Sequence, residues 1–130
     1  MNYILSVHWI LAAAIWFFGA GVLHDIFVLK AHQGDYNRDL LRLLMDGHVL
    51  ILSGVIAFVC YLMMLSKIQC GSTIAIIVAV FMLIYCAMIY PFLPSWFTIF
   101  LSIMMIVVSI KLFREFPDIY EVMKPYREVK

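Results

Sequence analysis

Residues 3–29 of the chain read YILSVHWILAAAIWFFGAGVLHDIFVL. No Lys, Arg, Asp or Glu interrupts this stretch before Asp25, and it is longer than the roughly 20 helical residues that cross the hydrocarbon core of a bilayer. The apolar region of a signal peptide is shorter and follows a basic segment. We therefore expect these residues to form a retained transmembrane helix.

Three more apolar runs follow, over residues 38–66, 72–90 and 95–113. Of the 130 residues, 66% are hydrophobic and 13% are charged, and the mean hydropathy is +1.05. A soluble domain of this composition would expose large apolar patches. The sequence therefore predicts an all-α fold, a four-helix transmembrane bundle over residues 1–113 whose surface contacts the lipid bilayer. Residues 114–130 are expected to form a short cytoplasmic tail, either an interfacial helix or a frayed end.

The distribution of charge predicts the orientation of the bundle. A net charge of +1 argues against nucleic acid as a partner, because nucleic-acid binding needs a basic face. With four spans, one side carries Lys67, Lys111, Arg114, Lys124, Arg127 and Lys130, and the other carries Lys30, Arg38 and Arg42. Cytoplasmic loops are enriched in Lys and Arg, so we expect both termini in the cytoplasm. In a bacterial host this is the inner membrane, with the first hairpin at the periplasmic face.

Two groups of ionisable residues flank the connection between the first two runs: His24-Asp25 before it and Asp46-Gly47-His48 after it. Ionisable side chains at membrane depth are costly and are usually partnered and functional. Imidazole and carboxylate groups are ligands for zinc, iron or manganese and also act as acid–base pairs. We therefore predict an outward-facing polar site for a divalent metal or a small ligand. Because neighbours on a helix diverge by about 100°, His24 and Asp25 do not readily reach one ion.

A structural clamp is the alternative interpretation of the same residues. If the first two runs are antiparallel, residues equidistant from the turn face each other, which places Asp25 level with Arg42. Asp25 then pairs with Arg42, Asp46 accepts a hydrogen bond from His24, and His48 binds a backbone carbonyl or water. Structural ion pairs produce such clusters as functional sites do, so the sequence leaves both interpretations open.

Small and polar residues indicate which helix faces point inward, because lipid offers no hydrophobic drive and close packing needs small side chains. In the second run, steps of three, four and seven residues predict one buried polar stripe: Asp39, Arg42, Asp46, Ser53 and Cys60. The fourth run carries a similar stripe: Thr98, Ser102 and Ser109. Supporting roles at the polar site are expected for Arg42, Ser53 and Tyr90, with Gly21 level with Asp46.

Helix boundaries are marked by capping residues. Asn37 is the expected N-cap of the second helix. The segment 69–72, which ends in Ser72, is expected to supply a break and a cap before the third helix.

The segment from His8 to Gly21, in which Trp9 and Trp16 are followed by glycines, resembles the start of small four-helix membrane families. These are the CopD-like copper-resistance group and the HemJ-type protoporphyrinogen oxidases, and the resemblance covers the first helix and the overall length. The HemJ-type resemblance implies haem ligation by His8 and oxidation of a tetrapyrrole. That family also relies on a lysine in its third helix, whereas residues 72–90 contain neither lysine nor histidine. The activity therefore does not carry over, and without haem His8 is a helix-packing residue.

Three classes of function fit these observations. The chain is a binding protein or enzyme with a pocket open to the outer face, a non-catalytic subunit or assembly factor of a larger membrane complex, or a small transporter. In the first class the pocket forms among Gly21, His24, Asp25, Asp46, His48 and Tyr90. In the third class Asp46 and His24 relay protons, but no inverted half-repeat supports transport. We expect the first class, and the sequence leaves open catalysis, the cofactor (divalent metal or haem) and assembly with other subunits or as a homo-oligomer.

Overall fold

The computed structural model describes residues 3–32, 36–91 and 95–115. Within these ranges the chain forms four α-helices and no strand: α1 (Tyr3–Ala31), α2 (Arg38–Leu65), α3 (Gln69–Ile89) and α4 (Trp96–Glu115). Each helix packs against its two neighbours, in the order α1, α2, α3 and α4, around a four-sided bundle. The predicted all-α, four-helix bundle is confirmed.

The outer surface of the bundle is apolar. All four helices are long and apolar enough to cross a membrane, and their outward faces carry large exposed side chains such as Phe27, Phe81 and Met88. Contiguous apolar surface of this kind is uncommon on a soluble monomer. The architecture is compatible with a small integral membrane protein whose outer faces contact lipid.

The two ends of the bundle hold different connections. The hydroxyl of Tyr3 donates a hydrogen bond to the carbonyl of Met64, and the side-chain amide of Gln69 donates one to the carbonyl of Phe113 at 3.4 Å. The start of α1, the α2–α3 turn and the end of α4 therefore share one end. We call the opposite end, where α1 leads into α2, the hairpin end. The expected tail falls largely on residues 116–130, which lie outside the described part of the chain.

Glycines bring α1 and α2 into backbone contact along a line that we call the seam. A Cβ atom added to Gly21 would lie 2.6 Å from the carbonyl oxygen of Gly47, and one added to Gly54 would lie 2.5 Å from the backbone nitrogen of Phe18. Close backbone approach through small residues is how membrane helices pack without a hydrophobic drive. Gly21 is therefore level with Gly47, one residue from the predicted Asp46.

Helix α2 buries a different face from the predicted polar stripe. Of that stripe only Cys60 is fully buried, whereas Asp39 and Arg42 are exposed and Asp46 and Ser53 are only partly buried. The prediction of one buried stripe is wrong because the glycines of the seam face α1, and the residue before each glycine is turned aside by about 100°. In α4 the predicted stripe is buried: Thr98, Ser102 and Ser109.

The start of α2 is as predicted, and the start of α3 is not. The side-chain oxygen of Asn37 accepts a hydrogen bond from the backbone N–H of Leu40 at 2.8 Å, which confirms the N-cap. The predicted cap at Ser72 is wrong, because α3 begins at Gln69 and Ser72 lies buried inside it. The chain turns earlier, at Lys67, whose φ of 56° allows a tight reversal without a polar cap.

Candidate functional site

A cavity of about 550 Å³ lies between the four helices at the hairpin end. Its wall is formed by Trp16, Ala20 and His24 of α1, Leu43, Asp46 and Leu50 of α2, Tyr85, Cys86 and Ile89 of α3, and Ser95 and Thr98 at the start of α4. Most of this wall is apolar, and its polar groups converge from all four helices. This combination is typical of small-molecule sites.

Trp16 forms part of the inner wall of the cavity, two helical turns deeper than His24. Its indole N–H donates a hydrogen bond to the hydroxyl of Thr98 at 3.0 Å, and its ring packs edge-on against Phe97 with ring centroids 4.5 Å apart. These contacts tie α1 to α4. A large aromatic surface is thereby held in place in the cavity wall.

Asp46 and Tyr85 meet on the opposite side of the cavity. The hydroxyl of Tyr85 donates a long hydrogen bond, 3.5 Å, to the backbone carbonyl of Asp46. Among the described residues, no Lys, Arg or His nitrogen lies within ion-pair distance of the Asp46 carboxylate. This holds for Arg42 too, although it lies one turn earlier on the same helix. Within the described part of the chain, the Asp46 carboxylate therefore has no cationic partner in the cavity wall.

Asp25 lies behind the cavity wall, in the seam. Its Oδ2 atom is 3.2 Å from Nδ1 of His48, and its Oδ1 atom is 3.6 Å from Nδ1 of His24. An ideal Cβ atom on Gly47 would lie 1.9 Å from Oδ1 of Asp25, so the carboxylate occupies space that only a glycine leaves free. The Asp25 side chain is 14% exposed and that of His48 is 70% exposed. Asp25 thus lies between the exposed imidazole of His48 and the more buried imidazole of His24.

The contact between His24 and Asp25 is incomplete. Both Nδ1 of His24 and Oδ1 of Asp25 are buried, and neither has a hydrogen-bond partner in the described part of the chain. These are the two atoms that face each other at 3.6 Å. Buried polar atoms are normally satisfied, so each of these atoms lacks a hydrogen bond that it would ordinarily make. His24 is therefore directed by its buried nitrogen towards Asp25.

The predicted clamp between Asp25 and Arg42 is wrong. Arg42 is exposed, and the ion-pair partners of Asp25 are the two imidazoles. Side chains on a helix tilt towards its N-terminus, so Asp25 reaches inwards to Gly47 and His48 rather than straight across the hairpin. The predicted carbonyl partner of His48 is confirmed, because its Nδ1 lies 2.7 Å from the carbonyl oxygen of Leu44.

The structure separates the four predicted site residues into two pairs. His24 and Asp46 line the cavity, whereas Asp25 and His48 lie in the seam. Within the described ranges, no three His, Cys, Asp or Glu side chains are grouped so that they could hold a metal ion. The divalent-metal hypothesis therefore gains no support from the geometry.

Three other predicted residues lie apart from the cavity wall. Tyr90 is exposed and packs edge-on against Trp96 with ring centroids 5.4 Å apart. The hydroxyl of Ser53 donates a hydrogen bond to the carbonyl of Val49 within α2. His8 is exposed near the other end of the bundle, where its Nδ1 lies 2.6 Å from the carbonyl of Ile4. Haem ligation by His8 stays a prediction, unconnected with the cavity.

Trp16 is a cavity residue that sequence reasoning missed. Residues 16, 20 and 24 are each four positions apart and so share one face of α1. Ala20 is small and His24 is polar, as expected of an inward face, and the same spacing includes Trp16. The contribution of Leu43 and Ile89 had no such signal, because it depends on the relative rotation of three helices.

Comparison of the chain with protein-family models, with curated proteins and with solved structures finds no match. The resemblance of the first helix to CopD-like and HemJ-type proteins stays a prediction. The function is therefore argued from the cavity and the charges around it.

Proposed function

We propose that this chain is a small integral membrane protein that binds a small amphipathic molecule in the cavity at the hairpin end. The observation that carries the proposal is the cavity itself. Its volume of about 550 Å³ falls in the range of about 300–1,000 Å³ that is typical of small-molecule sites. Its wall combines an extensive apolar surface with a few polar groups, as such sites do.

The wall suggests how the molecule is held. Leu43, Leu50 and Ile89 offer an apolar surface to the body of the ligand. Asp46 and His24 offer hydrogen-bonding groups to its polar part. A ligand with an apolar body and a polar group satisfies both kinds of surface, because a buried polar group without a partner is costly.

The cavity is expected to accept 4-tert-butylphenol, a neutral probe with an apolar body and one hydroxyl. Replacing Ala20 by phenylalanine fills the cavity without changing any charge, and should weaken saturable binding at least about tenfold. Binding is measured by titrating the protein in phosphatidylcholine nanodiscs and following tryptophan fluorescence, to which Trp16 contributes.

A Trp16→Phe variant serves as the control for that titration, because it removes the reporter from the cavity wall and leaves the other two tryptophans. Non-specific partitioning into lipid is the same for every variant. Saturable binding of equal strength in the parent and in Ala20→Phe would place the probe elsewhere and contradict the proposal.

We also propose that the hairpin end faces the periplasm of a bacterial inner membrane, with both termini cytoplasmic. The excess of Lys and Arg on the side of the α2–α3 turn and the tail supports this orientation. A C-terminal reporter that is active only in the periplasm should be inactive, and the same reporter inserted between α1 and α2 should be active. The reverse pattern would overturn the orientation.

A further inference from the structure

The charged groups in the cavity wall restrict the class of ligand more than the shape of the cavity does. We propose that the ligand is an organic cation, an amine or quaternary ammonium with an apolar body, and that the Asp46 carboxylate is its counter-ion. This inference rests on the proposed function, since it names the kind of molecule that the cavity binds.

The first argument is the missing counter-charge at Asp46. The cavity wall contains no Lys or Arg among its described residues, and Arg42, one turn away, does not pair with Asp46. Tyr85, whose hydroxyl hydrogen-bonds to the backbone carbonyl of Asp46, brings no positive charge. An ionised carboxylate in apolar surroundings is costly unless a cation accompanies it. A cationic ligand supplies that partner.

The second argument is that His24 does not supply the counter-charge. Its Nδ1 faces Oδ1 of Asp25 at 3.6 Å, and Asp25 also contacts His48 at 3.2 Å. If His24 is neutral it adds no charge to the cavity. If it is protonated, its charge is opposed by Asp25 immediately behind it. In both cases the negative charge of Asp46 is left for the ligand.

The third argument is the aromatic surface in the wall. Trp16 and Tyr85 both line the cavity, and Trp16 is held by its hydrogen bond to Thr98. Aromatic rings attract cations that lie within about 6 Å of the ring centroid, most strongly in the case of tryptophan. An anion gains nothing from these rings and is repelled by Asp46. The wall therefore favours a cation over a neutral or anionic molecule of the same shape.

A pair of probes of equal shape tests the inference. The cation 4-(trimethylammonio)phenol differs from 4-tert-butylphenol by one atom, a quaternary nitrogen in place of a quaternary carbon. In phosphatidylcholine nanodiscs at fixed salt, the parent protein should bind the cation at least about tenfold more tightly than the neutral probe. Asp46→Asn should abolish this preference, because the amide carries no negative charge to balance the cation.

Asp39→Asn is the matched control, because Asp39 lies on the same helix and is exposed outside the cavity wall. It should keep the preference for the cation. Equal binding of the two probes by the parent protein would overturn the cation assignment and leave the proposed binding function standing. A preference that survives Asp46→Asn would overturn the role of Asp46. Failure of both probes to bind would reject the proposed function itself.

Discussion

Replacing Phe17 by alanine is expected to lower the free energy of unfolding by about 3–5 kcal/mol, whereas the same change at Phe18 should cost less than about 1 kcal/mol. The two residues are neighbours on α1, but the side chain of Phe17 is fully buried and that of Phe18 is 47% exposed. Loss of Phe17 leaves a void between the helices. Loss of Phe18 leaves a surface that lipid or detergent fills.

The comparison uses two variants of identical composition, so differences in expression or in detergent binding largely cancel. Reversible unfolding of each variant in mixed micelles gives the two free energies. Equal losses, or a greater loss at Phe18, would mean that α1 is rotated from the orientation described above. The assignment of His24 to the cavity wall would then be wrong too, since it depends on the same rotation of α1.

Replacing Gly47 by alanine should destabilise the bundle by about 1–3 kcal/mol, and the cost should be much smaller in a chain that already carries Asp25→Ala. The added Cβ atom would collide with the Asp25 carboxylate, 1.9 Å away, and would lie 3.0 Å from the carbonyl oxygen of Gly21. Removing the carboxylate relieves the first and shorter of these contacts. A double-mutant cycle in the same unfolding assay measures the coupling.

Gly19→Ala is the control for this cycle, because a Cβ atom at Gly19 would have no neighbour within 4 Å. It should cost little and should not couple to Asp25→Ala. If the costs of Gly47→Ala and Asp25→Ala simply added, Asp25 would not lie against Gly47. The contact of Asp25 with His24, on which the charge of the cavity depends, would then lack support.

The four helices could be predicted because each is specified by a local apolar run. The predicted starts of α1, α2 and α4 lie within one residue of those observed. The N-cap at Asn37 could be predicted because asparagine is one of the residue types preferred at that position. The start of α3 was misplaced because the backbone of Lys67 makes the turn, and a positive φ at a lysine has no sequence signal.

The site could be predicted only in part because its residues belong to different helices. The sequence identified His24, Asp25, Asp46 and His48 as ionisable groups near one hairpin. It did not show that the Asp25 carboxylate would occupy the space beside Gly47 in the seam and so would not pair with Arg42. Counting from the turn gives the approximate level of a residue, but the tilt of its side chain and the rotation of its helix decide what it contacts.

Photoaffinity labelling tests the central claim most directly. A diazirine derivative of 4-(trimethylammonio)phenol should label the cavity wall, at Leu43, Leu50 or Ile89, and Ala20→Phe should abolish the labelling. An alternative location among the described residues is an apolar groove of about 510 Å³ on the outer face of α1 and α2, lined by residues such as Ile15 and Val55. Labels confined to that groove and unaffected by Ala20→Phe would contradict the account.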